Sequence, residues 1–151
     1  MNTTAYTSPN SAPVASRGKI SRIAVIVVRI LLGLPLTIFG LNAFLNFIPQ
    51  PEVQLPEGAM AFTIALVNSG YMMELIGVTQ LIVGVMLLTN RFVPLALVIF
   101  APFMVNSVAF HLVLERSGLG MSLIFLALEL YLAWAYRAAY RPLLTARAIP
   151  A

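Results

Sequence analysis

Polar residues interrupt this chain so rarely that its hydrophobic pattern is one of long blocks. Apolar runs cover residues 23–48, 70–88, 92–114 and 119–136, with Arg29, Asn42 and Asn46 inside the first. Each run is about 18 to 26 residues, enough at ~1.5 Å per residue to cross a hydrocarbon core of roughly 30 Å. Pro49, Pro51 and Pro56 close the first run in a loop that carries Glu52 and Glu57. A weaker apolar stretch, 58–68, makes about three helical turns and is too short to span, so it is expected at the interface or dipping back into the membrane. The pattern predicts an all-α membrane protein: a four-helix transmembrane bundle with a short interfacial or re-entrant helix between helices 1 and 2.

Within the runs, glycines recur at heptad spacing: Gly33 and Gly40 in the first, Gly70, Gly77 and Gly84 in the second. Residues seven apart share a helix face, and glycine there lets backbones approach where lipid supplies no hydrophobic drive for association. Pro35 and Pro102 allow kinks that open a cavity. The ends read differently. Residues 1–19 begin with a Ser-, Thr-, Asn- and Pro-rich stretch without periodicity and are expected to form a disordered cytoplasmic tail. They do not make a signal peptide, because the basic residues come late and the apolar run after them is too long for one. The transmembrane domain is then 20–144, followed by a C-terminal tail, 145–151.

Charge sets the orientation. Of nine Lys and Arg residues, Arg116 alone falls outside if the N-terminus is cytoplasmic. Arg17, Lys19, Arg22, Arg29, Arg91, Arg137, Arg141 and Arg147 then fall on or near the inner side, as the positive-inside rule requires. A multi-pass protein of the cell membrane, with both termini cytoplasmic, is expected. Tyr71, Trp134, Tyr136 and Tyr140 fall near run ends, where aromatic belts form.

Composition narrows the function. Sixty percent of residues are apolar and 9% charged, well under the roughly 25% charged of soluble domains. The net charge of +4 does not indicate nucleic-acid binding, since the basic residues flank apolar runs and form no patch with interleaved aromatics. With no cysteine and one histidine, the chain has no disulfide, no thiolate metal ligand and no bis-His or His–Cys haem site of its own. No phosphate loop, nucleophile triad or dinucleotide fingerprint is present, and no metal site is expected.

What remains is a set of polar groups inside apolar runs: Arg29, Glu74, Gln80, Asn106, His111 and Glu129. A charge within the bilayer costs several kcal/mol unless paired, protonated or hydrated, so these side chains are expected to face the bundle. Arg29 shares the Gly33/Gly40 face, and Glu74 and Gln80 share an arc with Gly77. Arg29 either snorkels to the inner surface or pairs with an acid. Glu129 is the nearer acid, about 6 Å from it along the membrane normal. Ser122, Glu129 and Tyr136 form a stripe on the fourth run. His111 and Glu115 stand one turn apart at the outer end of the third, a spacing for a local contact or for proton handling.

Specific short motifs add a resemblance. They are Arg29-Ile-Leu-Leu-Gly33, Phe39-Gly40 with Phe44, Gly70-Tyr71 with Ile76-Gly77, Asn90-Arg91-Phe92-Val93-Pro94, Asn106 followed by Phe110-His111-Leu112, and Trp134-Ala135-Tyr136-Arg137 with Tyr140-Arg141-Pro142. Over roughly residues 23–144 the chain resembles the DoxX-like integral membrane proteins, the broad family that includes quinone-reductase subunits. Where a lysine or histidine often follows the first-helix Phe-Gly of that family, this chain has Leu41-Asn42-Ala43. The resemblance implies a four-helix bundle serving as a non-catalytic subunit or scaffold of a membrane oxidoreductase assembly, lining a quinone or lipid cavity. Its partners would be the lipid bilayer and a membrane or peripheral redox protein. The polar groups leave a second reading open, a small transporter or hydrophobic-ligand-binding bundle using intramembrane Glu, Arg and His.

Overall fold

The computed structural model describes residues 15–49 and 54–144, with side chains placed for 21–49 and 54–142. Residues 1–14 of the expected tail, 50–53 of the proline loop and the whole of 145–151 lie outside these. Among the described residues every regular element is helical. Helix α1 is Ala15–Leu45, α2 Glu57–Asn68, α3 Met72–Leu88, α4 Val93–Val113 and α5 Leu119–Ala135. A short α6, Arg137–Tyr140, runs into a 3-10 turn, Arg141–Leu144. α1 thus starts inside the segment expected as tail and carries Arg17 and Lys19 on its first turns.

Two helices are long and apolar enough to cross a membrane: α1 over the 25 residues Ser21–Leu45, and α4 over 21. The apolar α2 and α3 qualify together, but they meet at 88°, as a broken span or a re-entrant turn does. α5 is apolar and 17 residues long, or ~26 Å. The expected runs are trimmed at their ends for local backbone reasons. Gly70 has φ +75, which no helix accommodates, so α3 starts at Met72 and Gly70 falls outside the glycine seam. Tyr136, at φ −96 and ψ 13, ends α5 one residue early.

The elbow between α2 and α3 is built by Ser69 and Gly70. Ser69 Oγ donates to the Leu66 carbonyl at 2.6 Å and accepts the Met72 N–H at 3.0 Å. It thereby satisfies one carbonyl at the end of one helix and one orphan N–H at the start of the next. α1 ends by a similar device. Asn46 turns the chain at φ +47, and the buried Asn42 accepts the Ile48 N–H at 2.7 Å. The α3–α4 turn is tighter still, with both Asn90 (φ +58) and Phe92 (φ +55) left-handed and Phe92 71% exposed.

α1 packs along α3, α3 against α4, α4 against α5, and α5 back against α1, while α2 touches α3. The interior is closed by Leu32, Leu36, Val83, Leu87, Phe100 and Leu132. The α1–α3 contact is the closest. A Cβ on Gly40 would stand 2.6 Å from the Leu81 nitrogen, and one on Gly84 2.6 Å from that of Thr37. Gly77 and Gly84 therefore face Gly40 and Gly33 across the seam that the heptad spacing predicts. The outward faces stay apolar: Leu31, Leu34, Val98, Val105, Ile124 and Leu130 are each roughly half exposed or more. Such a belt is unfavourable in water and neutral in lipid.

Candidate functional site

The α2–α3 elbow holds α2 away from the body of the protein and leaves a cavity of about 490 Å³ between α2, α3 and α4. Its wall is mostly apolar: Phe62 and Leu66 from α2, Leu75 and Ile76 from α3, Ile99, Phe103 and Phe110 from α4. Phe62 and Phe110 meet at 5.6 Å between ring centroids and close one side. Pro102 lies in the wall, where a proline without an N–H interrupts the helix ladder. The polar groups are few. Thr63 and Thr79 donate their hydroxyls to carbonyls of their own helices, Ala59 and Leu75. Ser107 is 3.2 Å from Ser122 on α5. Asn106 has no hydrogen bond to any described residue, so both ends of its amide are available to a guest.

Just beyond Phe110 the α4–α5 loop carries the one ion pair among the described residues. His111 Nδ1 donates to Glu115 Oε2 at 2.9 Å and to the Glu115 carbonyl at 3.0 Å. The carboxylate also accepts the N–H groups of Ser117 at 2.7 Å and Gly118 at 3.0 Å, at the start of α5. Hydrogen bonds from Ser117, then Gly118 and His111, outweigh burial and hold the Glu115 carboxyl down to about 2. Gly118 is required here because a Cβ would collide with the imidazole. This arrangement is the local contact that the spacing of His111 and Glu115 allows, and it orients the ring.

The six polar groups singled out in the sequence do not form one cluster. Asn106 alone lines the cavity between α2, α3 and α4, with His111 adjoining it through Phe110. Glu74 is exposed, because Gly77 and not Glu74 takes the side of α3 that meets α1. Gln80 is half-buried and lines none of the cavities described here. Arg29 and Glu129 do not pair. Arg29 donates to Asn90 Oδ1 in the α3–α4 turn. Glu129, 5% exposed, lines a separate apolar cavity of about 260 Å³ with Leu97, Leu126 and Tyr140. Among the described residues it has no hydrogen bond or ion pair. A similar depth along the membrane normal does not bring Arg29 and Glu129 together, because they are separated around the helix axes and a nearer acceptor takes the guanidinium. Glu129 and Ser122 are nonetheless both buried, as their shared stripe predicts.

Several contributors escaped the sequence reading. Phe62, Thr63 and Thr79 look like ordinary residues of apolar helices, and only the elbow brings them together. Asn90 stood in the sequence only as the first residue of a motif, with nothing in its spacing to connect it to Arg29. Among the described residues no group of three or more His, Asp or Glu is placed to hold a metal. No family model matches the chain, and comparison with curated proteins and with solved structures finds no match.

Proposed function

We propose that this membrane protein crosses the bilayer four times and holds a small, mostly apolar ligand in the cavity between α2, α3 and α4. A quinone or a lipid bearing a carbonyl or hydroxyl suits the wall, and the protein acts as a non-catalytic subunit or scaffold of a membrane oxidoreductase assembly. The observation that carries this reading is the cavity itself. Its volume of about 490 Å³ lies within the range of small-molecule sites, and such sites combine apolar walls with a few well-placed polar groups. Asn106 is suited to donate to a quinone carbonyl. The DoxX-like motifs support the redox context. The fourfold crossing is supported by the gathering of Arg22, Arg29 and Arg137 at one end of the molecule, which also favours cytoplasmic termini.

The test is purification in mild detergent, read by mass spectrometry for co-purifying quinone and for a flavoprotein or oxidase partner. Titration with a short-chain benzoquinone should raise the melting temperature. Asn106→Leu removes one hydrogen bond and is expected to weaken that binding about five- to tenfold. Thr79→Phe fills the cavity and should abolish it. Unchanged affinity in both variants would sink the reading.

A second reading, a small transporter, draws on the 88° break between α2 and α3, since broken helices at membrane depth line substrate paths. It predicts release of the ligand across a vesicle membrane, where the scaffold reading predicts only retention.

A further inference from the structure

At the opposite end of the molecule from the elbow, residues 21–29 of α1, the α3–α4 turn and the end of α5 line a second cavity of about 540 Å³. Three guanidinium groups line it, those of Arg22, Arg29 and Arg137, and among the described residues no carboxylate does. None of the three has an ion pair among the described residues, where the one such pair is His111–Glu115. Two of the groups are held by other means. The Arg137 guanidinium lies 4.8 Å from the centroid of the Trp134 ring and donates to the Trp134 carbonyl at 3.0 Å. Arg29 donates to Asn90 Oδ1, which also accepts the Tyr136 hydroxyl at 3.4 Å. Arg29 Nε is buried and has no acceptor among the described residues. A buried donor without a partner is costly, and three cations in one concavity repel one another unless an anion is bound between them.

We propose that this cavity is a binding site for a phosphate group. Phosphate offers several acceptor oxygens to forked guanidinium donors, and its charge would offset the three arginines. The cavity also has an apolar flank, Val25, Ile26 and Trp134, of which Ile26 is 46% and Trp134 62% exposed. That flank fits the glycerol and first acyl carbons of a phospholipid, and basic pockets between helices at the inner surface take anionic head groups. The shared chemistry admits a second source, a soluble phosphate. The site is independent of the apolar cavity under the elbow and does not depend on what that cavity holds.

The experiment uses the full chain in mild detergent, with native mass spectrometry and thermal melting as readouts. Phosphatidylglycerol, phosphatidylcholine and inorganic phosphate are titrated separately. Phosphatidylglycerol is expected to be retained and to raise the melting temperature, with phosphatidylcholine at least several-fold weaker. Arg29→Gln and, at the exposed rim, Arg22→Gln should each weaken retention about tenfold, the size of a lost charge-assisted hydrogen bond. Arg116→Gln removes the same charge outside the cavity and should leave retention unchanged. Inorganic phosphate that displaces the lipid at millimolar concentration, in an Arg22- and Arg29-dependent way, would support the phosphate site and assign it to a soluble ligand. Equal retention of the two lipids, or equal losses in Arg116→Gln and Arg22→Gln, would overturn the proposal. Using Arg22 alongside Arg29 keeps a folding defect in Arg29→Gln from deciding the result.

Discussion

Glu115 takes three hydrogen bonds within four residues of chain, and this makes the α4–α5 loop sensitive to acid. Its carboxyl is held at about 2, below its ordinary 4.5. A group depressed on folding adds stability that is complete above its unfolded value and is lost as pH falls through its folded one. The loop should therefore be fully stabilised at neutral pH and loosen between about pH 4.5 and 2. Melting curves against pH test this: Glu115→Gln should melt lower at pH 7, and the gap to the wild type should close toward pH 2. A constant gap across that range would mean that the carboxylate is not what the loop depends on. Much of this residue scale was legible in the sequence. The one-turn spacing of His111 and Glu115 predicted their contact, and the Ser122–Glu129 stripe predicted burial. The Arg29–Glu129 pairing was not sound, because depth in the membrane is readable from residue counts and azimuth around the bundle is not.

Helix against helix, the decisive feature is the α1–α3 seam. The glycine spacing announced it, and only Gly70 was misplaced, since a residue with positive φ belongs to the elbow and not to the helix. Gly40→Ala and Gly84→Ala each set a methyl against backbone that cannot swing aside. Overpacking of this kind typically costs about 1–3 kcal/mol, so each variant should melt several degrees lower in detergent. Gly120, where a Cβ would meet nothing within 4 Å, serves as the control, and Gly120→Ala should leave the melt unchanged or slightly raised. A similar gain at all three positions would indicate that helix propensity, which favours Ala over Gly, and not close approach, is being measured. The elbow itself was less legible. The sequence marked 58–68 as too short to span, yet the angle at which it leaves α3 is set by Ser69 bonding in both directions. A serine among apolar residues does not reveal that.

For the whole molecule, two helices are long and apolar enough to cross a membrane and the bent α2–α3 pair makes a third candidate; four crossings with both termini cytoplasmic are the prediction that the apolar blocks and arginines make together. The absence of cysteine makes the test clean. In intact cells a membrane-impermeant maleimide should label Gln54→Cys and spare Arg91→Cys, while reporters fused at residues 10 and 148 should both read as cytoplasmic. Reporters on opposite faces would reduce the crossings to three, α1, α4 and the α2–α3 pair as one broken span, with the 17-residue α5 not crossing. The backbone of the α3–α4 turn adds a consequence of a different kind. Phe92 holds a left-handed conformation that a bulky side chain resists, at a cost of order 1 kcal/mol or more, and its ring is 71% exposed. Water gives that ring no reason to stay out. At a bilayer surface, head groups and upper acyl chains solvate an aromatic ring, so the host membrane becomes the missing half of the turn. Stability measured in a micelle and stability measured in a vesicle are then different quantities for this protein, and they differ at a residue that touches little of its own core.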